Sequence, residues 1–219
     1  MKAVYNSTPF KHWVIDEFVN STTALAAYNA VPKPDWCSWV NYDNDCERFK
    51  RTNNKEIMEM PAWQELFAEL NDQCTINALS DMVSLPRVIL SADPTLHGAG
   101  CHVVDPGGYL QTHLDYDLHP KLPTMRRRLN LVLFLNPSWH KDWGGDFQLY
   151  DDMGNVVIAR VAPRFNRAVV WLPTDIAYHG TEQVSPQAHE SRITAAVYYL
   201  SGVGVNNTRK RALYVPNRS

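Results

Sequence analysis

From about residue 86 to residue 200 the chain is written in short apolar or alternating runs, each closed by proline, glycine, asparagine or aspartate. The runs fall at 87–91, 99–105, 109–115, 129–135, 146–150, 156–161, 167–172 and 192–200. Strands of this length and spacing predict a sandwich or jelly roll; a parallel sheet is disfavoured because no helical pattern separates them. Upstream the pattern changes. Residues 10–19 carry Trp13, Val14 and Ile15 and read as an opening strand. Asn20-Ser21-Thr22 offers an N-cap for a helix around 21–30, which Pro32 and Pro34 close. Residues 34–59 are polar, rich in Asn and Asp, and read as irregular. Pro61 suits a first helical turn, after which Trp63, Leu66, Phe67 and Leu70 recur at helical spacing. That helix is expected to run, with a break, to about Leu85. The predicted architecture is mainly β with N-terminal helices covering one sheet. It forms one domain over 1–219, with helical support and an opening strand over 1–85 and the β core over 86–205.

Composition narrows the function classes. The chain has 219 residues, 45% hydrophobic and 20% charged, with a formal charge of −2, so no nucleic-acid partner is expected. No apolar run is long enough to span a bilayer, and the first residues lack the apolar stretch of a secretory signal. Cys37, Cys46, Cys74 and Cys101 are scattered without a CxxC pair and read as free thiols of a cytoplasmic protein.

The chemistry concentrates in Tyr109–Tyr116. On a strand, residues i and i+2 project from one face, so His113 and Asp115 can reach one ion while Leu114 points away. His179, after the apolar run Ala168–Leu172 and before Gly180, is the best third ligand. Two imidazoles and one carboxylate leave positions open at a metal and suit non-haem Fe(II). A His-x-Asp tripeptide alone is weak evidence, so the surrounding residues decide. Arg192 opens the run Arg192–Leu200, sharing a face with Thr194 and Ala196. A cation on an apolar strand needs a partner, and a guanidinium grips a carboxylate with two parallel bonds; an internal Arg–Asp pair, or an exposed strand end, is the equal alternative.

Taken together, His113-x-Asp115, the distal His179 and Arg192 resemble the Fe(II)/2-oxoglutarate-dependent dioxygenase superfamily, with the prolyl-4-hydroxylase-like branch most similar. Leu129–Asn136, Gly144–Tyr150 and Asn166–Pro173 are similar to further segments of that branch, in the same order. The resemblance covers roughly residues 100–200. It implies a double-stranded β-helix (jelly-roll) core, Fe(II) on His113, Asp115 and His179, and O2 as oxidant. It also implies 2-oxoglutarate with its distal carboxylate on Arg192 and Thr194, and Asn130 as a further co-substrate contact. Two departures are visible: Arg192 stands where collagen-type enzymes have lysine, and Phe134 where some branches have a hydrogen-bonding tyrosine. The implied reaction is hydroxylation of an unactivated C–H bond in a peptide, a small molecule or a glycan precursor. A non-catalytic jelly roll binding metal or sugar, and a zinc hydrolase, are the alternatives; neither explains Arg192.

The loop Tyr116–Met125 is rich in proline and is expected to frame substrate. Arg126–Arg128 reads as one or two solvated arginines and one internal pair, with contact to an anionic group as the alternative. His119 and His140 read as surface residues, and Trp139, Trp143 and Tyr150 as packing or as the substrate mouth.

Overall fold

The computed structural model describes residues 2–85, 90–202 and 209–215. In chain order the elements are β1 (Lys2–Asn6), β2 (His12–Asp16), α1 (Ser21–Asn29), β3 (Val40–Tyr42), β4 (Glu47–Asn53), α2 (Pro61–Leu70) and α3 (Gln73–Met82). There follow β5 (Ser91–Ala92), β6 (Gly100–Leu114), β7 (Met125–Phe134), β8 (Phe147–Tyr150), β9 (Val157–Val161), β10 (Ala168–Trp171), β11 (His179–Thr181), β12 (Arg192–Gly202) and β13 (Leu213–Tyr214). The strands form a curled jelly-roll sheet whose main path runs β1-β2-β10-β7-β12-β6-β11-β8-β9.

β12 shows how the curl divides the molecule. Arg192, Thr194, Ala196 and Tyr198 line the internal cavity. The alternate residues Ile193, Ala195, Val197 and Tyr199 enter the main apolar cluster on the other face. There they meet Leu129, Leu131 and Leu133 of β7, and the fully buried Trp63, Leu66 and Leu70 of α2. Burying each such side chain contributes roughly 1.5–3 kcal/mol, so α2 is held by its apolar face rather than by its length. The helices thus back the sheet, and its concave face is left for chemistry.

Local chemistry sets the helix bounds. Asn20 caps α1 by accepting from the Thr22 N–H at 2.8 Å. The break expected between 61 and 85 falls at Asn71 and Asp72, where the Asp72 carboxylate accepts from the Cys74 N–H at 2.8 Å and starts α3.

Two expectations are corrected. Residues 34–59 are not irregular: β3 and β4 lie there, and β4 pairs with β6. The strand escaped notice because its sequence is polar and its buried groups take polar partners. Arg51 donates to Asp105, Lys50 to Glu47, and Asn53 to the Ser38 carbonyl. The runs 99–105 and 109–115 are one strand, β6, whose register with β4 slips between Arg48 and Lys50. Residues 87–89 of the first predicted run and 203–205 of the predicted core lie outside the described residues. All four cysteines are unbridged. Among the described residues, no helix is long and apolar enough to cross a membrane.

Candidate metal and co-substrate site

His113 and Asp115 leave β6 at its C-terminal end, and His179 opens β11, paired directly opposite His113. Gly180 makes that pairing possible: a Cβ there would lie 2.8 Å from the Leu110 carbonyl oxygen. Nε2 of His113 lies 3.6 Å from Oδ1 of Asp115, and Nε2 of His179 lies 3.3 Å from Oδ2. One ligand atom from each residue falls within 4.8 Å of the others, and all three residues are buried.

The two imidazoles are oriented alike. Nδ1 of His113 contacts the Gln111 carbonyl at 2.9 Å, and Nδ1 of His179 contacts the Ala177 carbonyl at 2.8 Å. A carbonyl only accepts, so each Nδ1 carries the proton and each Nε2 presents its lone pair to the shared space. Burial lowers the His113 pKa, which keeps that ring a ligand-competent base. Burial pushes the Asp115 carboxyl up, but the charge of Arg127, the largest opposing cause, outweighs it and holds it well below the usual range.

Arg127 is the residue that sequence reasoning undervalued. Its Nη1 lies 3.2 Å from Oδ1 of Asp115, and its Nε donates to Oδ1 of Asn130. The guanidinium carbon sits 3.2 Å from the centroid of the Tyr198 ring and 4.8 Å from that of Tyr116. Asn130 completes the brace by donating to Oδ2 of Asp115 at 2.7 Å. Both polar ends of Asn130 are therefore engaged within the protein, and it does not line the cavity. The co-substrate contact expected of it is corrected to support of the Asp115 carboxylate. A triplet of arginines at the head of a strand was the available signal, since the middle one must face opposite to its neighbours.

Arg192 projects into the same cavity, 3% exposed. Its Nε donates to the Gly145 carbonyl at 2.7 Å, and its guanidinium lies 4.9 Å from the Phe134 ring. Among the described residues no carboxylate lies within ion-pair distance of it. Burial lowers its pKa to about 10, with the charge of Asp146 opposing. The internal Arg–Asp pair is thus absent at Arg192, and the ring of Phe134 supports the guanidinium where a tyrosine would have offered a hydroxyl. The Thr194 hydroxyl lies beside it, 3.5 Å from the His102 carbonyl.

The cavity encloses about 330 Å³. Phe147, Trp171 and Val132 wall it between the Arg192 end and the histidines, while Lys210, Arg211 and Tyr214 stand at its open side. Tyr116 of the proline-rich loop does line it. Trp139, Trp143 and Tyr150 do not; Trp139 and Trp143 pack edge to face on a separate surface groove. His119, expected at the surface, is 1% exposed, with Nε2 3.1 Å from Asp93 and Nδ1 accepting from the Lys121 and Leu122 N–H groups. It fastens the loop that frames the cavity. His140 is exposed, as expected.

The donor set fits an iron site: two neutral imidazole nitrogens and one ionised oxygen on one side of a shared space suit non-haem Fe(II). The unmatched buried cation 3% exposed at Arg192 fits an anionic co-substrate. Residues 99–200 match the family model described as the 2OG-Fe(II) oxygenase superfamily. This segment is a 2OG-Fe(II) oxygenase domain. The protein is a 2-oxoglutarate-dependent oxygenase, and the family that this segment matches uses Fe(II), 2-oxoglutarate and O2. Solved structures share the fold at low identity. A prolyl-4-hydroxylase from Pseudomonas putida superposes with TM-score 0.60 at 16% identity, over 91% of this chain and 92% of that one. A viral collagen prolyl hydroxylase from Paramecium Bursaria Chlorella virus-1, in its 2OG complex, gives 0.57 at 15%, over 88% and 96%. A prolyl hydroxylase from Trichoplax adhaerens, in complex with a hypoxia inducible factor oxygen degradation domain peptide fragment, gives 0.53 at 16%, over 86% and 82%. No curated protein matches the chain by sequence.

Proposed function

We propose that His113, Asp115 and His179 hold Fe(II), that Arg192 with Thr194 anchors the distal carboxylate of 2-oxoglutarate, and that the enzyme hydroxylates an unactivated C–H bond. The observation that carries this reading is Arg192. A buried guanidinium with no carboxylate of its own, in the same cavity as two lone-pair-presenting histidines, calls for an anion that also reaches the metal. Bound Fe(II) supplies the redox chemistry that couples decarboxylation of 2-oxoglutarate by O2 to oxygen insertion.

The chain's own residues supply the rest. His113 and His179 keep their protons on Nδ1, and Asp115 stays ionised because Arg127 and Asn130 brace it. Phe134 and the Gly145 carbonyl fix the Arg192 guanidinium, so little freedom is lost when it takes a carboxylate. Phe147, Trp171 and Val132 keep water from the space between the two anchors.

A cavity of about 330 Å³ lies at the lower end of ligand-site sizes and has room for 2-oxoglutarate and one small group. The substrate is therefore a small molecule, or a peptide that inserts one side chain past Tyr214 while its remainder stays outside. The peptide held by the Trichoplax neighbour supports the second form.

The test is succinate release from 2-oxoglutarate by Fe(II)-loaded protein in air, with His113→Ala beside it, and a titration of 2-oxoglutarate into metal-loaded protein. Turnover lost in the variant supports the assignment. Failure to bind 2-oxoglutarate when metal is bound sinks it.

A further inference from the structure

β7 begins with Arg126, Arg127 and Arg128, and only the middle one is spent on the iron site. The register between β7 and β12 explains what becomes of the others. Tyr199 pairs with Leu129, but Leu200 pairs with Arg127, so Arg128 is an extra residue on the β7 side. A bulge of this kind re-aims a side chain. Arg126 and Arg128, with Arg127 between them, line one cleft against Leu172, Pro173, Thr174 and Asp175 of the turn that precedes β11.

This cleft, about 340 Å³, is cationic without compensation. Among the described residues no carboxylate lies within ion-pair distance of Arg126 or Arg128. Its one acid, Asp175, is engaged by Nη1 of Arg209 at 2.8 Å. Nε of Arg126 and Nε of Arg128 are both buried with no hydrogen-bond partner. Burial, then the neighbouring charge of Arg126, lowers the Arg128 pKa. An arginine with nothing to bind would extend its guanidinium into water, since half-burying a cation beside a like charge costs free energy. Two arginines lining one cleft with no carboxylate paired to either are an arrangement that takes an oxyanion in charge-assisted bonds.

We propose that the cleft formed by Arg126, Arg128 and the 172–175 turn is an oxyanion-binding site, for a phosphate or carboxylate group, separate from the Arg192 pocket. The anion is either free or carried by the substrate. Arg209, bonded both to Asp175 and to the Asp115 carbonyl, spans from this cleft toward Lys210 and Arg211 at the cavity mouth. A substrate held here by an acidic group would have a basic path to the cavity.

Inorganic phosphate is the probe, titrated calorimetrically into the full chain, with Arg126→Gln/Arg128→Gln, Arg192→Gln and the exposed Lys141→Gln as variants. Loss of two charge-assisted contacts should raise the Kd at least about tenfold in the double variant, with the other two near wild type. If the double variant does not fold, Arg126→Lys/Arg128→Lys keeps the charge but loses the forks, and an intermediate Kd is expected. No phosphate binding, or binding lost in Arg192→Gln and kept in the double variant, overturns the proposal. Succinate release in the presence of phosphoserine, AMP and glucose 1-phosphate separates the sources. Stimulation by an ester, lost in the double variant, assigns the anion to the substrate; phosphate binding without stimulation by any ester assigns it to a free anion. Because binding is read without turnover, failure here is distinct from failure of the oxygenase assignment.

Discussion

Arg127 and Asp115 form a buried ion pair, Nη1 to Oδ1 at 3.2 Å, immediately behind the space that the two histidines face. The pair is braced within the protein: Asn130 bridges cation and anion, and the rings of Tyr198 and Tyr116 flank the guanidinium. Its consequence is electrostatic. A carboxylate so paired stays ionised and directed, and the arginine cannot turn to another anion. Arg192, with no such partner, remains available.

Arg127→Met should therefore be severe. Removing one partner of a buried pair leaves the other charge uncompensated, at a cost of about 3–5 kcal/mol. Denaturant unfolding of the metal-free protein measures it. Addition of Mn(II) should recover part of the loss, because the cation replaces the missing charge at Asp115. A variant as stable as wild type without metal would show that the pair does not hold the carboxylate.

Arg192→Ala should leave metal affinity intact and weaken 2-oxoglutarate by roughly 10- to 100-fold, the worth of one or two charge-assisted hydrogen bonds. Arg192→Lys should fall between, since an ammonium keeps the charge but loses the fork. Titration of 2-oxoglutarate into metal-loaded protein reads both. Unchanged affinity in the alanine variant would remove Arg192 from the co-substrate site.

Gly145 gives a subtler handle on the same group. Its φ is +75°, and a Cβ there would lie 3.1 Å from Cδ of Arg192 and 3.2 Å from the Trp139 ring. Gly145→Ala should displace the guanidinium from the Gly145 carbonyl and from Phe134. Weaker 2-oxoglutarate binding at near-normal metal affinity is expected, together with a stability loss of about 1 kcal/mol or more from the backbone strain. Equal losses in metal and 2-oxoglutarate affinity would instead indicate that the whole sheet had shifted.

The parts of this site that were legible in the sequence are those set by local periodicity. His113 and Asp115 share a face because strands alternate, and Arg192, Thr194, Ala196 and Tyr198 share the cavity for the same reason. What was hidden is long-range. β4 reads as loop because its buried Arg51 and Asn53 take their partners, Asp105 and the Ser38 carbonyl, from other segments of the chain. Asn130 lies on the strand beside the site, yet which partner it takes depends on Arg127 three residues earlier and on Asp115 across the sheet. His119 looks like a surface residue in a proline-rich loop until Asp93, on the other side of β6 in sequence, is brought to its ring.

His102 gives a pH test that does not involve the iron ligands. It sits on the cavity wall, and burial, then the charge of Lys50, lowers its pKa from 6.5 to about 3, with a bond to the Gly98 backbone opposing. Between those two values the unfolded chain binds a proton that the folded protein does not. Stability therefore rises with pH across this window and is lost as pH falls from 6.5 toward 3. One such proton contributes a slope of at most about 1.4 kcal/mol per pH unit. His12, His97 and His113 have lowered pKa values too and titrate in the same direction, so the wild-type slope alone cannot isolate His102. The difference between wild type and His102→Asn does isolate it. The variant should lose less stability on acidification from pH 7 to pH 4.5, measured by urea unfolding, whatever its stability at neutral pH. Parallel curves would mean that His102 accepts its proton in the folded protein, and that the cavity wall is wetter than its packing indicates.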